Sequence, residues 1–222
     1  MNAVVFDMDG LMFDSERLVQ YSWNKAGYLM INRNLGEEIY NTLGFNKEKR
    51  REYFKQLLGE RFDFETFQIL SSYFYYDYLH KNGIPMKKGL KELLQYLKDH
   101  NYKIAIATSS SYKNTIKHLI ETNIREYFDI IITGDQVTKA KPDPEIYLTA
   151  CLKLGVDPQD AYALEDSYHG IKAAYLAGMK PVFIPDLLKD DNPIKDYIEI
   201  KCDSLLVFID YLKKVDYEFD NK

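Results

Sequence analysis

The sequence predicts an α/β fold, a doubly wound parallel sheet with a second, smaller all-helical domain. Short apolar runs alternate with helix-like segments over most of the chain. This alternation is typical of a parallel sheet with right-handed crossovers and helices on both faces. One interval between the runs is far longer than a crossover needs, and its apolar residues show helical rather than strand-like spacing.

Five apolar runs are predicted as strands. They are Val4–Phe6, Lys103–Ala107, Ile130–Thr133, Ala161–Leu164 and Pro181–Ile184. Between the runs, apolar residues recur at helical spacing, as in Leu90, Leu93, Leu94 and Leu97. The order of elements is therefore strand and helix in alternation.

Several residues predict where helices begin and end. Asp143 is a candidate N-cap, and Pro144 follows it at the first helical position. Gly155 and Gly178 lie where two helices should end, because glycine adopts the left-handed conformation that closes many helices. These signals support the assignment of helices between the later strands.

The interval between Gly10 and Lys103 contains more than one crossover helix. We expect a helical module at residues 13–83, inserted into a core formed by residues 1–12 and 84–222. Because the module leaves the core at the carboxyl end of the first strand, we expect it to act as a lid. Its apolar residues fall on helix faces, as in Val19, Trp23, Ala26 and Met30, and an aromatic run at 73–78 is expected to pack it.

Composition and charge narrow the class of protein. The chain is 46% hydrophobic and 28% charged, and no apolar run is long enough to cross a bilayer, so we expect a cytoplasmic protein with no membrane partner. A monomer is the default expectation for a protein of this size. A net charge of -5 gives no general attraction for nucleic acid, and the basic segment Lys47–Arg51 is predicted to be a solvated helix face. Cys151 and Cys202 lack the spacing of a zinc site and are expected to be reduced, structural thiols.

Unusual polar residues follow the predicted strands. The set comprises Asp7 and Asp9 after the first strand, Thr108 and Ser109 after the second, Lys141 in the loop after the third, and Glu165 and Asp166 after the fourth. The carboxyl ends of parallel strands meet at one edge of a sheet, so we expect these side chains to converge. Carboxylates suit Mg²⁺, while hydroxyl, N–H and ammonium groups bind phosphate oxygens. The sequence thus predicts a metal-assisted phosphoryl site.

These residues resemble, in order and spacing, the four sequence motifs of the haloacid dehalogenase superfamily. The motifs are Asp7-Met8-Asp9-Gly10, Thr108-Ser109, Lys141-Pro142 and Glu165-Asp166. The similarity extends to Asp14-Ser15-Glu16 and covers nearly the whole core. The resemblance implies a Rossmann-like catalytic core. The inserted module resembles the helical cap of the subfamily that contains β-phosphoglucomutase and many small phosphatases.

The resemblance implies a role for each motif residue. Asp7 would be the nucleophile that forms an aspartyl-phosphate. Asp9 would protonate the leaving group and then activate water. Thr108 and the backbone N–H of Ser109 would bind phosphoryl oxygens, and Lys141 would neutralise charge on the nucleophile and the phosphoryl group.

The resemblance also implies Mg²⁺ as the cofactor. Its ligands would be Asp7, Asp9 through its backbone carbonyl, Asp166 and, as a second acidic ligand, Glu165. A carboxylate that approaches a phosphate dianion meets a repulsion of roughly 8 kcal/mol at 4 Å and an effective dielectric near 20. Mg²⁺ and Lys141 together would offset this repulsion.

The expected function is a Mg²⁺-dependent phosphatase acting on a small phosphorylated metabolite, such as a sugar phosphate or a nucleotide-like monophosphate. A dehalogenase would not need Asp9. A phosphomutase is the alternative, although Val19 stands where the β-phosphoglucomutase pattern has histidine and Lys47 stands nearest to its cap-loop arginine. A phosphorylation-dependent receiver module is an alternative of another class, in which Asp135 would stand for the phosphorylated aspartate. Substrate contacts from the cap are expected at Ser15, Glu16, Lys47 and the loop around Gly44.

Overall fold

A six-stranded, all-parallel sheet forms the centre of the larger of the chain's two structural units. Its strands are β1 (Ala3–Phe6), β2 (Lys103–Thr108), β3 (Ile130–Thr133), β4 (Ala161–Glu165), β5 (Lys180–Phe183) and β6 (Ile200–Lys201), in the order β3-β2-β1-β4-β5-β6. This computed structural model describes residues 3–42, 45, 47–187 and 190–220. The five predicted strands are confirmed, and β6 is a short edge strand that the apolar pattern did not indicate.

The chain divides into two units, one made of Met1–Asp14 and Met86–Lys222 and the other of Ser15–Pro85. The helices of the smaller unit are α1 (Ser15–Ile31), α2 (Glu38–Thr42), α3 (Lys47–Leu58) and α4 (Phe64–Asn82). The larger unit carries α5 (Leu90–Asp99), α6 (Tyr112–Glu121), α7 (Glu145–Leu154), α8 (Tyr168–Leu176) and α9 (Leu205–Asp220). Among the helices of the described residues, none is both long and apolar enough to traverse a membrane.

Both faces of the sheet are covered, and this explains why its strands are continuously apolar. Alternate strand residues such as Val5 and Ala163 pack on one face against α7 and α8. On the other face, the Phe6 ring lies 6.0 Å from Phe128, and Tyr162 of β4 lies 5.6 Å from Phe208 of α9. The sheet is therefore doubly wound, as the alternation of strand and helix predicted.

The predicted helix boundaries in the larger unit are confirmed to within a residue. The Asp143 carboxylate accepts a hydrogen bond from the Glu145 N–H at 3.0 Å, and Pro144 already has helical dihedral angles. Gly155 closes α7 with φ +65°. Local sequence signals thus determine the start and the end of α7.

The smaller unit has its own aromatic core, centred on the fully buried Phe54. Around this ring lie Trp23 at 5.4 Å, Phe62 at 5.8 Å, Phe64 at 5.8 Å and Phe67 at 5.0 Å. The aromatic run at 73–78 was expected to provide this packing, but Tyr73 and Tyr76 are 62% and 57% exposed. The expectation therefore holds only in part: α4 turns the Tyr73 and Tyr76 rings away from its buried stripe, whereas Phe74, Tyr75 and Tyr78 are half-buried.

Two residues of the basic segment Lys47–Arg51 depart from the prediction of a solvated helix face, because Arg51 is half-buried as well as Arg50. Arg50 is half-buried, and its guanidinium carbon lies 5.4 Å from the centre of the Trp23 ring. Lys47 is exposed, as predicted. The face of α3 that carries Arg50 and Phe54 therefore packs inside the smaller unit.

Candidate active site

The register of the sheet sets the geometry of the site. Phe6, the last residue of β1, pairs with a residue of β2 on one side and of β4 on the other. The residues that follow these three paired residues are Asp7, Ala107 and Glu165. They therefore lie side by side across the sheet. The strand order also reverses next to β1, and ligands of doubly wound sheets bind at such a point.

The ammonium group of Lys141 joins these three residues. Its Nζ donates hydrogen bonds to Asp7 Oδ1 at 2.6 Å, Glu165 Oε1 at 2.6 Å and the Ala107 carbonyl at 2.9 Å. The Tyr147 hydroxyl oxygen lies at 3.3 Å from the same Nζ. Only 6% of the Lys141 side chain is exposed, so this cation is desolvated and held by two charge partners.

Glu165 is completely buried, and both of its oxygens are engaged. Oε1 accepts from Lys141 and, at 2.7 Å, from the Tyr147 hydroxyl. Oε2 accepts from the Ser167 hydroxyl at 2.9 Å and its N–H at 3.3 Å. A Cβ at Gly170 would lie 1.8 Å from Glu165 Oε1, so only glycine leaves room for this carboxylate. These contacts indicate that Glu165 holds Lys141 in place, besides its predicted role as a metal ligand.

Asp9 is held by a residue that the sequence analysis did not single out. The Ser110 hydroxyl donates to Asp9 Oδ2 at 2.6 Å, and the Ser110 N–H donates to Thr108 Oγ1 at 3.1 Å. Thr108 is 1% exposed, whereas Ser109 is exposed. The structure thus places Thr108 and Ser109 at the carboxyl end of β2, where the next residue, Ser110, contacts Asp9. The run of serines after Thr108 was the available signal for Ser110.

Three carboxylates of the site could hold a metal ion. Asp7, Glu165 and Asp166 each offer an oxygen, and these oxygens lie within 4.8 Å of one another. Gly10, at φ +82°, lets Asp166 approach, since a Cβ there would lie 2.1 Å from Asp166 Oδ2. Three carboxylates against the one ammonium of Lys141 leave an excess of two negative charges. Hard oxygen donors with this charge fit a divalent cation such as Mg²⁺.

The pKa values of Asp7 and Lys141 reflect burial first and the neighbouring charges second. Burial raises the pKa of Asp7 to about 8; Lys141 opposes this rise and Glu165 adds to it. Burial lowers the pKa of Lys141, but the attraction of Asp7 and Glu165 outweighs it and the net shift is upward. A buried carboxylate that is destabilised beside a protonated lysine needs additional positive charge, which a bound cation supplies.

The candidate substrate contacts of the smaller unit lie on two of its helices. Ser15 is buried at the start of α1, and Glu16 follows in the first turn. Lys47 begins α3, where its Nζ lies 3.0 Å from Glu65 Oε2. Gly44 lies outside the described residues. The role of these residues in substrate binding stays a prediction.

Asp135, the residue that a receiver module would phosphorylate, has a structural role. It is exposed, and it accepts hydrogen bonds from the Thr133 hydroxyl at 2.5 Å and the Tyr112 N–H at 3.2 Å. The carboxylate therefore ties the end of β3 to the start of α6.

Comparison with known proteins identifies the family. The profile of the family described as haloacid dehalogenase-like hydrolase matches residues 4–184, which include every motif residue discussed above. The chain belongs to the haloacid dehalogenase-like hydrolase family. It is therefore an enzyme, and the interpretation as a receiver module is excluded.

Relatives of this haloacid dehalogenase-like hydrolase match along most of their lengths. The chain is 31% identical over 201 residues to the proposed phosphatase YhcW of Bacillus subtilis (strain 168), covering 89% of each protein. It is 29% identical over 188 residues to the phosphorylated carbohydrates phosphatase of Thermotoga maritima, covering 82% of this chain and 84% of that one. A crystal structure of a proposed β-phosphoglucomutase from Thermotoga maritima is similar with a TM-score of 0.82 and 26% identity, covering 97% and 100% of the two chains.

Proposed function

We propose that this protein is a Mg²⁺-dependent phosphatase that hydrolyses a small phosphorylated metabolite through an aspartyl-phosphate on Asp7. The observation that carries the proposal is the buried Lys141 ammonium, 2.6 Å from both Asp7 and Glu165, within a carboxylate set that fits a divalent cation. The phosphatase relatives support the reaction, and the relative that acts on phosphorylated carbohydrates supports a sugar phosphate as the substrate class. A cytoplasmic, monomeric state is part of the proposal and rests on the sequence alone.

In the first step, a carboxylate oxygen of Asp7 attacks phosphorus and the bond to the leaving oxygen breaks. Asp9, in its protonated form, gives its proton to that oxygen, and the hydrogen bond from Ser110 keeps the Asp9 carboxyl group oriented. Lys141 stays on Asp7 Oδ1 and offsets the negative charge that gathers around the phosphoryl group. Thr108 and the Ser109 N–H bind phosphoryl oxygens in this proposal.

In the second step, a water molecule attacks the phosphorus of the aspartyl-phosphate. Asp9, now a carboxylate, takes a proton from the water, and the bond between phosphorus and the Asp7 oxygen breaks. The products are inorganic phosphate and the original carboxylate. Asp7 and Asp166, with Glu165 and the Asp9 carbonyl, would hold Mg²⁺, which when bound supplies positive charge that neutralises the phosphoryl oxygens.

An Asp7→Asn variant tests the assigned nucleophile. The amide keeps the size of the side chain but cannot attack phosphorus, so we expect Mg²⁺-dependent release of phosphate from an aryl phosphate to fall to the background rate. The matched control is Asp157→Asn, at an exposed aspartate that caps a turn through the Gln159 N–H. Retained turnover in Asp7→Asn would rule out Asp7 as the nucleophile. Loss of turnover in both variants would point to a general defect.

The second candidate function is a phosphomutase, and the similarity to a proposed β-phosphoglucomutase favours it. The departures at Val19 and Lys47 weigh against it. A mutase interconverts hexose phosphates in the presence of a bisphosphate activator, whereas a phosphatase releases inorganic phosphate steadily without one. Assay of both products from one hexose phosphate separates the two functions.

A further inference from the structure

The loop of residues 137–144 carries Lys141 and joins the 3₁₀ turn after β3 to α7. The Lys141 side chain is only 6% exposed, and its Nζ lies 2.6 Å from both Asp7 Oδ1 and Glu165 Oε1. A lysine side chain is a flexible four-carbon stem, and each loop residue that is fixed loses conformational entropy. The ammonium group therefore reaches its two partners reliably only if other contacts fix the backbone of this loop.

Glu145, the first residue of α7, provides such contacts. Its Oε1 accepts a hydrogen bond from the Thr138 N–H at 2.9 Å. Its Oε2 accepts from the Thr138 hydroxyl at 2.8 Å and from the Lys139 N–H at 2.8 Å. One carboxylate therefore joins the two ends of the loop, and Lys141 lies between them.

The contacts of Glu145 differ from those of an ordinary helix start. An acidic residue in the first turn usually interacts with the helix dipole or with the N–H of the N-cap residue. The N–H groups that Glu145 binds belong to residues six and seven positions earlier, outside α7. The start of the helix has its own contact, since the Asp143 carboxylate accepts the Glu145 N–H at 3.0 Å. The Glu145 carboxylate thus connects the loop to the helix.

The same loop is closed a second time around Lys141 itself. The Asp143 N–H donates to the Ala140 carbonyl at 3.0 Å, which forms a turn that contains Lys141. This inner turn fixes the peptide groups beside the lysine. The hydrogen bonds of Glu145 then fix the position of the turn relative to α7.

The Glu145 side chain is suited to this task because it is a carboxylate at neutral pH. The hydrogen bonds from Thr138, first from its N–H and then from its hydroxyl, hold the pKa of Glu145 below its ordinary value. A carboxylate accepts on both oxygens, and such charge-assisted hydrogen bonds are stronger than neutral ones. The three donors all belong to the loop, so Glu145 acts on the site through the loop.

We propose that Glu145 is a positioning residue, which holds residues 138 and 139 so that the loop delivers the Lys141 ammonium group to Asp7 and Glu165. Its kinetic consequence rests on the proposed phosphatase function, in which Lys141 offsets charge around the phosphoryl group. A lysine that is less well placed stabilises the transition state less, whereas the substrate still binds through other groups. The loss therefore falls on kcat rather than on KM.

Glu145→Ala removes all three hydrogen bonds to the loop. We expect kcat for hydrolysis of an aryl phosphate to fall about tenfold, with less than about a twofold change in KM. Glu145→Gln keeps one acceptor oxygen and should recover part of kcat. The matched control is Glu92→Ala, at an exposed glutamate in the first turn of α5, which should retain the wild-type kcat. An equal fall of kcat in Glu92→Ala, or a rise of KM as large as the fall of kcat, contradicts the proposal.

The reactivity of Lys141 measures its position without any turnover. An amine-acylating reagent modifies accessible, neutral amines, so the buried and ion-paired Lys141 should react slowly in the wild-type protein. In Glu145→Ala we expect mass spectrometry to show about tenfold faster modification of Lys141, with no change in Glu92→Ala. Labelling of the buried Cys151 thiol is measured in parallel, because a general loosening of α7 would raise both rates.

The labelling separates the positioning claim from the phosphatase function. If the wild-type protein releases no phosphate, the phosphatase proposal fails and the labelling of Lys141 alone decides the role of Glu145. Faster labelling of Lys141 at an unchanged Cys151 rate supports the proposal. Equal labelling of Lys141 in the wild-type and Glu145→Ala proteins overturns it, and so does a parallel rise at Cys151. Thermal melts show whether each variant is folded, and Glu145→Gln replaces Glu145→Ala in every measurement if the latter does not fold.

Discussion

Lys141 is restrained by more groups than its two charge partners. The Tyr147 hydroxyl donates to the same Glu165 oxygen that accepts from Lys141, and the Lys141 Nζ also lies 4.9 Å from the Tyr147 ring centre. Tyr147 is completely buried. Because this tyrosine contacts the lysine and its partner rather than the space for a substrate, we interpret it as a positioning residue.

Tyr147→Phe removes this hydroxyl and keeps the ring. We expect kcat to fall about tenfold, or about 1.4 kcal/mol, with little change in KM, because Lys141 loses orientation while the groups that bind substrate remain. The measurement is steady-state hydrolysis of an aryl phosphate. Tyr162→Phe is the control, since Tyr162 is 4% exposed and its ring packs on α9. An equal fall of kcat in both variants would show that general packing, not positioning, is responsible.

The serines that follow β2 allow a second test of the role of single residues. Ser110→Ala removes the 2.6 Å hydrogen bond to Asp9 Oδ2, so we expect kcat to fall about tenfold as the acid and base group becomes less well oriented. Ser109→Ala should have a much smaller effect, because the proposed role of Ser109 uses its backbone N–H. The measurement is kcat of the two variants with the same substrate, which shows whether the Ser110 hydroxyl matters more than the Ser109 hydroxyl. A larger loss for Ser109→Ala would contradict the assignment.

At the scale of elements, α8 sets the position of Glu165. The helix starts directly after the motif, with the Ser167 hydroxyl accepting the Gly170 N–H at 3.1 Å while it also donates to Glu165. The first turn of α8 therefore approaches the carboxylate closely, and the absence of a side chain at Gly170 makes this approach possible.

Gly170→Ala tests this close approach. The new methyl group would meet the Glu165 carboxyl group at 1.8 Å, so the carboxylate must move and Lys141 with it. We expect a stability loss of about 2 kcal/mol or more and a fall in kcat that exceeds the loss in folded protein. Lys172→Ala, at an exposed position of the same helix, is the control and should leave both quantities nearly unchanged. Wild-type stability and activity in Gly170→Ala would show that the helix can shift without consequence.

At the scale of the whole molecule, the fold and the main site were predictable because they depend on local signals. Buried strands read as apolar runs, and residues that follow parallel strands meet at one edge, so Asp7, Lys141 and Glu165 were found together. Tyr147 and Ser110 were missed because their partners depend on side-chain directions that spacing does not reveal.

The smaller unit shows the same limit. Helical spacing correctly indicated an all-helical module, yet the packing of single residues was misjudged. Arg50 lies in a strongly charged helix, and a run of charges is usually solvated, so its half-buried position over Trp23 gave no sequence signal. The exposed rings of Tyr73 and Tyr76 are the converse case, since aromatic composition alone does not tell which face of α4 is buried.

The two cysteines offer a test of the fold and of the metal site together. Cys151 and Cys202 are free and buried, and burial raises the pKa of each thiol to about 11. Since a thiol reacts as its thiolate, a thiol reagent near pH 8 should label the native protein very slowly and the denatured protein rapidly at both positions. Labelling of the native protein then requires the chain to open.

Labelling of the native thiols requires the chain to open, so a cation that binds only the folded protein should slow the labelling. At a Mg²⁺ concentration ten times its Kd, we expect the rate at Cys151 to fall about tenfold, because binding stabilises the folded state by RT ln(1 + [L]/Kd). Cys202→Ala isolates the Cys151 signal. In Asp166→Asn, which loses one carboxylate of the acidic cluster, the protection by Mg²⁺ should largely disappear. Equal protection in the two proteins would place the cation elsewhere, and rapid labelling of native Cys151 would contradict its burial in the core.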